Sequence, residues 1–256
     1  MDLIDVREIR VPTTRDELVF GDGERPLGGG TWLYSEPQPG TTGLVDLLGL
    51  GWQPVVETDA GVTISATCTI AELARQPHPL FALCANSLLA SFKIWNVATV
   101  GGNIALALPA GPMTSLGAAL DATAVIWSAT AERRVPVGEF VTGVQQTVLS
   151  RDEVLRSIEF PQAALSARHG FRRISLSPLG RTGTLVTAVV GAEAVFTVTG
   201  GTTRPHVLRF DELPSPAALL GALDAIDDWY DDAHGWPDWR EAMSRRFALE
   251  VLEELS

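Results

Sequence analysis

The chain has 256 residues, 46% of them hydrophobic and 20% charged, with 24 glycines and 16 prolines, a globular composition with room for one large domain or two smaller ones. Its formal net charge of −12 and pI near 4.7 leave no basic surplus to neutralise phosphates, which argues against non-specific binding to nucleic acid or to anionic membranes. Cys68 and Cys84 are the only cysteines, in no spacing that holds zinc or an iron–sulfur cluster, and both read as buried thiols.

The first residues show no basic segment followed by an apolar one, and no apolar run is long enough for a membrane span, so a soluble cytoplasmic protein is the expectation. Residues 4–11 alternate imperfectly between apolar and charged side chains and stop at Pro12, the pattern of a short strand near a sheet edge. Thr14 to Leu18 opens a brief helical turn, and Gly21 to Glu24 is a turn by composition. Arg25-Pro26 then leads into Leu27-Gly28-Gly29-Gly30-Thr31-Trp32-Leu33, a glycine cluster with a threonine directly after it. The apolar runs at 44–48 and 54–57 complete a small α/β unit.

Residues 62–66 alternate as a half-buried strand, after which Thr69 and Glu72 form a capping box for a helix that Pro77 and Pro79 end. A Leu- and Ala-rich helix over 80–92 delivers the chain to a second loop, Lys93-Ile94-Trp95-Asn96-Val97-Ala98-Thr99-Val100-Gly101-Gly102-Asn103-Ile104-Ala105. Residues 113–122 read as a helix, 124–127 and 134–137 as a hairpin, and 154–160 as a strand that closes the first globular unit at Pro161. A boundary over 161–167 follows. Beyond it, 185–191 and 194–198 read as strands, 199–202 as a hairpin turn, and 211–256 as acidic helix. That last stretch holds twelve acidic residues against three basic ones, read first as a solvated face and second as a docking surface for a basic partner. Trp229, Trp236 and Trp239 within it read as core or interface anchors.

Several chemistries are set aside on spacing. There is no GxxxxGK[ST] for a nucleotide cradle, and the contiguous glycines at 28–30 do not make the GxGxxG of a Rossmann site. Neither HExxH nor GxSxG occurs, and His78, His169, His206 and His234 are scattered, which suits surface or turn positions. The glycine loops remain. Without Cβ atoms the backbone can approach a ligand and take positive φ, so peptide N–H groups reach an anion. One glycine pair alone makes a tight turn as readily as a site; two, each beside a threonine, suggest a diphosphate gripped from both sides.

Leu27-Gly28-Gly29-Gly30-Thr31-Trp32-Leu33, followed by Ile94-Trp95-Asn96-Val97-Ala98-Thr99-Val100-Gly101-Gly102-Asn103-Ile104, resembles the two FAD-binding motifs of the flavoprotein (medium) subunit of molybdenum hydroxylases, the relatives of xanthine dehydrogenase and aerobic carbon monoxide dehydrogenase. Leu44-Val45-Asp46-Leu47, Ile64 to Thr69 leading into Glu72-Leu73, Leu120-Asp121-Ala122 and Glu153 to Pro161 follow in the same order. The likeness is firm over about the first 175 residues and weak beyond. It implies an α+β fold: a two-subdomain FAD-binding region of the molybdopterin dehydrogenase flavoprotein type over 1–162, divided near 55, and a C-terminal domain of antiparallel sheet and helix over 163–256.

The same resemblance implies non-covalent FAD, since neither loop holds a histidine or cysteine. Its binding residues would be Leu27, Gly28, Gly29, Gly30, Thr31, Trp32, Leu33, Asn96, Thr99, Val100, Gly101, Gly102 and Asn103, with Leu155 packing near the flavin. Arg172 falls near a lysine position by the isoalloxazine, and Arg172 or Arg173 would stabilise the reduced anionic flavin. The chain departs from the family at Trp95, where an arginine is usual, and at Gly111-Pro112, where relatives carry an aspartate. The implied function is that of a flavin subunit, passing electrons from a partner's [2Fe–2S] cluster to an external acceptor, with molybdopterin and the clusters in other chains. No side chain is then needed as acid, base or nucleophile. A stand-alone flavin oxidoreductase of this fold, or a binding module without FAD, is the alternative.

Overall fold

The computed structural model describes residues 3–177 and 180–256. The chain begins with a small parallel sheet of β1 (Glu8–Arg10), β2 (Glu24–Leu27) and β3 (Gly43–Asp46), in the order β1-β3-β2. Its composition explains that order. Leu44 and Val45 of the central strand are buried, whereas the outer strands carry charges, and Pro26, which cannot donate to a ladder, sits on an edge strand as it must. Arg10 reaches across to Glu24, with both guanidinium bonds at 2.8 Å.

A second, antiparallel sheet follows, made of β4 (Val55–Thr58), β5 (Gly61–Ser65), β6 (Thr123–Trp127), β7 (Glu132–Pro136) and, well beyond them in sequence, β10 (Val154–Pro161). The order is β4-β5-β10-β6-β7. Strand β10 therefore arrives last and fills the centre, which is why Leu155, Ile158 and Phe160 are buried. Between β5 and β6 run α1 (Ile70–Leu73), α2 (Pro79–Ser87), α3 (Phe92–Trp95), α4 (Val100–Ala105) and α5 (Pro112–Ala119). Short α6 (Val137–Phe140) and a hairpin of β8 (Val141–Gly143) and β9 (Gln146–Thr147) precede β10.

The capping box stands as expected: Thr69 accepts from the Glu72 amide at 3.2 Å, while the Glu72 carboxylate accepts from the Thr69 amide at 2.9 Å. The helix expected over 80–92 is shorter and begins on Pro79, a residue suited to a first turn. It ends at Ser87 because Asn86 and Ser87 donate back to the Ala82 and Leu83 carbonyls, at 2.8 and 2.9 Å, and Leu88 turns extended.

After α7 (Gln162–Leu165) come β11 (Arg168–Ile174), β12 (Thr184–Val190), β13 (Ala194–Thr199) and β14 (His206–Phe210), an antiparallel sheet in sequence order, then α8 (Pro216–Leu223) and α9 (Pro237–Leu255). Both faces of β12 and β13 are covered. Val186, Ala188, Phe196 and Val198 pack against Leu219, Leu223, Ala248 and Val251 of α8 and α9. Alternation turns Thr187, Thr197 and Thr199 the other way, toward α5, where Ser115 and Thr199 share a hydrogen bond of 2.7 Å. Helix α5 is consequently buried on every side.

Three sequence expectations need correcting. The chain does not reverse within 199–202: β14 starts only at His206, and the Gly201 carbonyl accepts from the Tyr230 amide at 2.8 Å, so a distant segment holds the connection open. His206 is not a surface residue; its side chain is 12% exposed, with Nε2 2.5 Å from Asp228. The acidic C-terminal stretch is only partly a free face, because Arg172 pairs with Glu250 and Glu254, at 3.2 and 2.7 Å. Of the tryptophans, Trp229 packs on the C-terminal core and Trp236 is 72% exposed. The mixed helix-and-sheet class agrees with expectation. Among the described residues no helix is long and apolar enough to cross a membrane.

Candidate functional site

The two glycine-bearing stretches meet, although the second, expected as a loop, is helical over α3 and α4, with Gly101 and Gly102 inside α4. A Cβ on Gly29 would stand 1.7 Å from the Val97 carbonyl oxygen, and one on Gly28 would stand 2.8 Å from Thr99 Oγ1. Only glycine lets these backbones touch. Gly30 has φ +68 and turns the first loop, whose next residues curl so that the Tyr34 amide donates to the Gly30 carbonyl at 2.9 Å.

The loops offer different chemistry. In the second, Val100 and Gly101 amides donate to the Cys68 and Ala66 carbonyls, both at 2.9 Å. The Gly102 amide donates to Thr99 Oγ1 at 3.1 Å and that of Asn103 to the Thr99 carbonyl at 3.0 Å. These N–H groups are engaged by the N-terminal turn of α4 and its neighbour strand. Amides of residues 28–33, by contrast, make no intramolecular hydrogen bond among the described residues. Unengaged donors, three of them on Cβ-free backbone, are the material of an anion-binding concavity. Thr99 and Asn103 line the same space as that first loop and add a hydroxyl and a carboxamide to it. Asn103 Oδ1 has another task, accepting the Met113 amide at 3.0 Å at the start of α5.

These groups open onto a cleft of about 1000 Å³. Gly28, Gly29, Gly30, Thr31, Trp32, Leu33, Thr99, Gly102 and Asn103 all line it. Other candidate positions lie elsewhere. Leu27, Val100 and Gly101 are buried outside the lining, Gly101 so tightly that a Cβ would meet that of Ala66 at 2.3 Å. Asn96 bonds the Phe92 carbonyl at 2.8 Å, outside the lining. Leu155 belongs to the main core, and Arg172 is tied to α9 by Glu250 and Glu254. The Trp95 indole donates to the Leu88 carbonyl at 3.5 Å, and Pro112 opens α5.

Reasoning from sequence missed an apolar wall of Leu88, Leu89, Ile94 and Leu106, and the polar side chains of Arg25, Gln38, Gln145 and Arg181. Arg181 lies between Gly180 and Gly183, a loop signal in the sequence that held no hint of its direction. Arg173 sets it: its guanidinium donates to Thr182 Oγ1 at 2.7 Å and to the Gly180 carbonyl at 2.5 Å, bracketing Arg181. Arg240, 1% exposed, holds the same loop from behind by donating to the Gly183 and Gly200 carbonyls at 3.0 and 2.6 Å while paired with Asp232. With Arg25 and Arg181 against Glu36 alone, the lining is cationic in an acidic chain.

The cleft combines glycine backbone, apolar side chains, two arginines and one glutamate. No histidine or cysteine of the described residues lines it. Cys68 and Cys84 are buried in the core, where loss of solvation pushes each thiol up to about 12. The lining thus offers a ligand both anion-binding groups and apolar surface.

Comparison with known proteins agrees. The family model for the FAD binding domain in molybdopterin dehydrogenase matches residues 14–163. Xanthine dehydrogenase/oxidase of Gallus gallus is 30% identical over 172 residues, which is 59% of this chain and 13% of that protein. Xanthine dehydrogenase of Emericella nidulans is 25% identical over 175 residues, 61% of this chain and 13% of the relative. The chain thus spans a small part of the length of both. Among solved structures, a chain of carbon monoxide dehydrogenase from Hydrogenophaga pseudoflava superposes with TM-score 0.80 at 22% identity, covering 97% of this chain and 96% of that one. Quinoline 2-oxidoreductase from Pseudomonas putida 86 gives TM-score 0.79 at 20% identity, with 96% and 97% covered. At such identity the superpositions establish the fold, including the C-terminal sheet and helices beyond the family match.

Proposed function

The chain belongs to the family of FAD-binding domains of molybdopterin dehydrogenases, and from that premise we propose that it is the flavin-carrying chain of a molybdenum hydroxylase complex. In this reading it receives electrons from a partner's [2Fe–2S] cluster and passes them to an external acceptor. One observation carries the proposal: a cradle of unengaged amides at 28–33 held against Thr99 and Asn103 at the mouth of a cleft large enough for a dinucleotide.

The cradle amides and the Thr99 and Asn103 side chains would hold the pyrophosphate, and Leu89, Ile94 and Leu106 offer apolar surface for a ring system. Residues 1–162 would carry the FAD, and residues 163–256 would reach it through Arg181 rather than Arg172. FAD when bound supplies the redox chemistry; the protein supplies binding, orientation and local charge. Binding would be non-covalent, with no histidine or cysteine at hand. Cys68 and Cys84, separately buried and held as thiols, offer no thiolate to a cluster. In this reading the molybdopterin and the clusters belong to partner subunits.

The test is the visible absorbance of the purified chain before and after addition of FAD. A yellow protein, or a colourless one that takes up one FAD per chain, is expected. A chain that remains colourless with FAD in excess sinks the proposal.

A further inference from the structure

Lys93 is the only lysine in the 256 residues. It lies on the single turn of α3 between Phe92 and Ile94, in a stretch from Leu73 to Leu120 that holds no aspartate or glutamate. In a chain of net charge −12 this is the longest acid-free segment, and it exposes Leu89, Phe92, Ile94 and Val97. Phe92 is 73% exposed and Val97 48%. Both lie outside the cleft lining, while Leu89 and Ile94 beside them belong to it. The patch therefore begins at the cleft mouth and continues onto open surface.

The turn is built rather than loose. The Trp95 amide donates to the Ser91 carbonyl at 3.1 Å, Asn96 Nδ2 to the Phe92 carbonyl at 2.8 Å, and the Val97 carbonyl abuts Gly29. An exposed aromatic on a pre-formed turn loses little freedom on association and is the usual anchor of a protein interface. Charge selects the partner. A lysine set between Phe92 and Ile94, with no acid on its own stretch and no ion pair among the described residues, suits a carboxylate-bearing surface and repels a basic one. A second copy is a poor occupant, since each carries −12 and a two-fold contact would set Lys93 against Lys93.

We propose that the face of Phe92, Lys93 and Val97 is the docking surface for the electron-donating partner chain, which meets it with an apolar contact rimmed by aspartate or glutamate. This rests on the flavin-subunit reading above. It places the partner at the edge of the cleft that Leu89 and Ile94 line.

The single lysine makes the test selective. The chain, co-expressed with its iron–sulfur and molybdopterin partners, is purified as a complex and, separately, alone; each is treated with an amine-acetylating reagent and with a carbodiimide, and Lys93 is followed by mass spectrometry. Acetylation of Lys93 is expected to slow about tenfold or more in the complex, and the carbodiimide to join Lys93 to a partner carboxylate. Lys93→Glu and Phe92→Ser should each weaken assembly about tenfold or more, with FAD binding retained, and Lys93→Arg should restore it. Equal acetylation in both preparations overturns the proposal. So does a cross-link only to a second copy of this chain, or a chain that forms no complex with these partners. A colourless complex with Lys93 protected would defeat the flavin reading and leave the surface standing; a yellow one with Lys93 unprotected does the reverse.

Discussion

At Gly29 the separation of the two loops depends on a missing methyl. With Val97 O 1.7 Å from where a Cβ would go, Gly29→Ala must push the amide cradle away from Thr99 and Asn103, and FAD affinity should fall tenfold or more, about 1.4 kcal/mol. Gly221→Ala in α8, where a Cβ meets nothing within 4 Å, is the control and should leave affinity unchanged; titration of both variants with FAD decides. Charge at single residues sets the acid limit of the fold. Hydrogen bonds from Arg10 hold Glu24 at about 2 against its ordinary 4.5, and Arg133 does the same for Glu153, also at about 2. A carboxyl depressed on folding stabilises the folded state above its unfolded value, and that contribution disappears as pH falls toward the folded one. Stability measured by urea denaturation should therefore decline between about pH 4.5 and 2, and Glu24→Gln with Glu153→Gln should flatten the decline. An unchanged profile in the double variant would rule these pairs out as its source.

At the level of elements, α4 is short and glycine-rich, a poor helix by propensity. It forms because Thr99 caps it and because Val100 and Gly101 amides find carbonyls at Cys68 and Ala66. Thr99→Ala removes both the cap and a hydroxyl of the cleft. A loss of about 1 kcal/mol in unfolding free energy is expected, together with weaker FAD binding, while Thr99→Ser should keep most of each. If Thr99→Ala binds FAD as the native chain does, the side-chain wall opposite the cradle has no part in the site. The neighbouring α5 shows a different balance, since burial on every side leaves its stability to packing and to the Asn103 carboxamide at its first turn.

On the scale of the whole molecule, the cleft gathers groups from β2, the loop after it, the α2–α4 region and the β11–β12 connection. A ligand that bridges them stabilises the fold by mass action. With FAD at a hundred times its Kd the gain is about 2.7 kcal/mol, enough to raise the melting temperature by about 5–10 °C for a chain of this size. Riboflavin, which lacks the phosphates, should raise it far less at the same concentration. Equal shifts from the two ligands in a thermal melt would mean that the amides at 28–33 hold no pyrophosphate.

Local pattern was enough for the strands at 62–66, 124–127 and 154–160, the capping box at Thr69 and Glu72, and the first glycine loop, because alternation, side-chain caps and missing Cβ atoms act within a few residues; the second glycine pair, expected in a loop, lies in α4, where carbonyls at Cys68 and Ala66 hold it. The family resemblance, carried by ordered motifs, was legible for the same reason. Which arginine serves the cleft was not, since Arg172, Arg173 and Arg181 read alike in sequence until α9 claims the first, the Gly180 and Thr182 backbone and hydroxyl claim the second, and the third is left facing inward. Nor does composition tell that the second loop has its amides already engaged while the first keeps them free. Those outcomes depend on which acceptors lie across the fold, at Cys68, Ala66, Glu250 and Glu254, and a hydrogen bond between distant residues exists only once tertiary packing brings its two ends together.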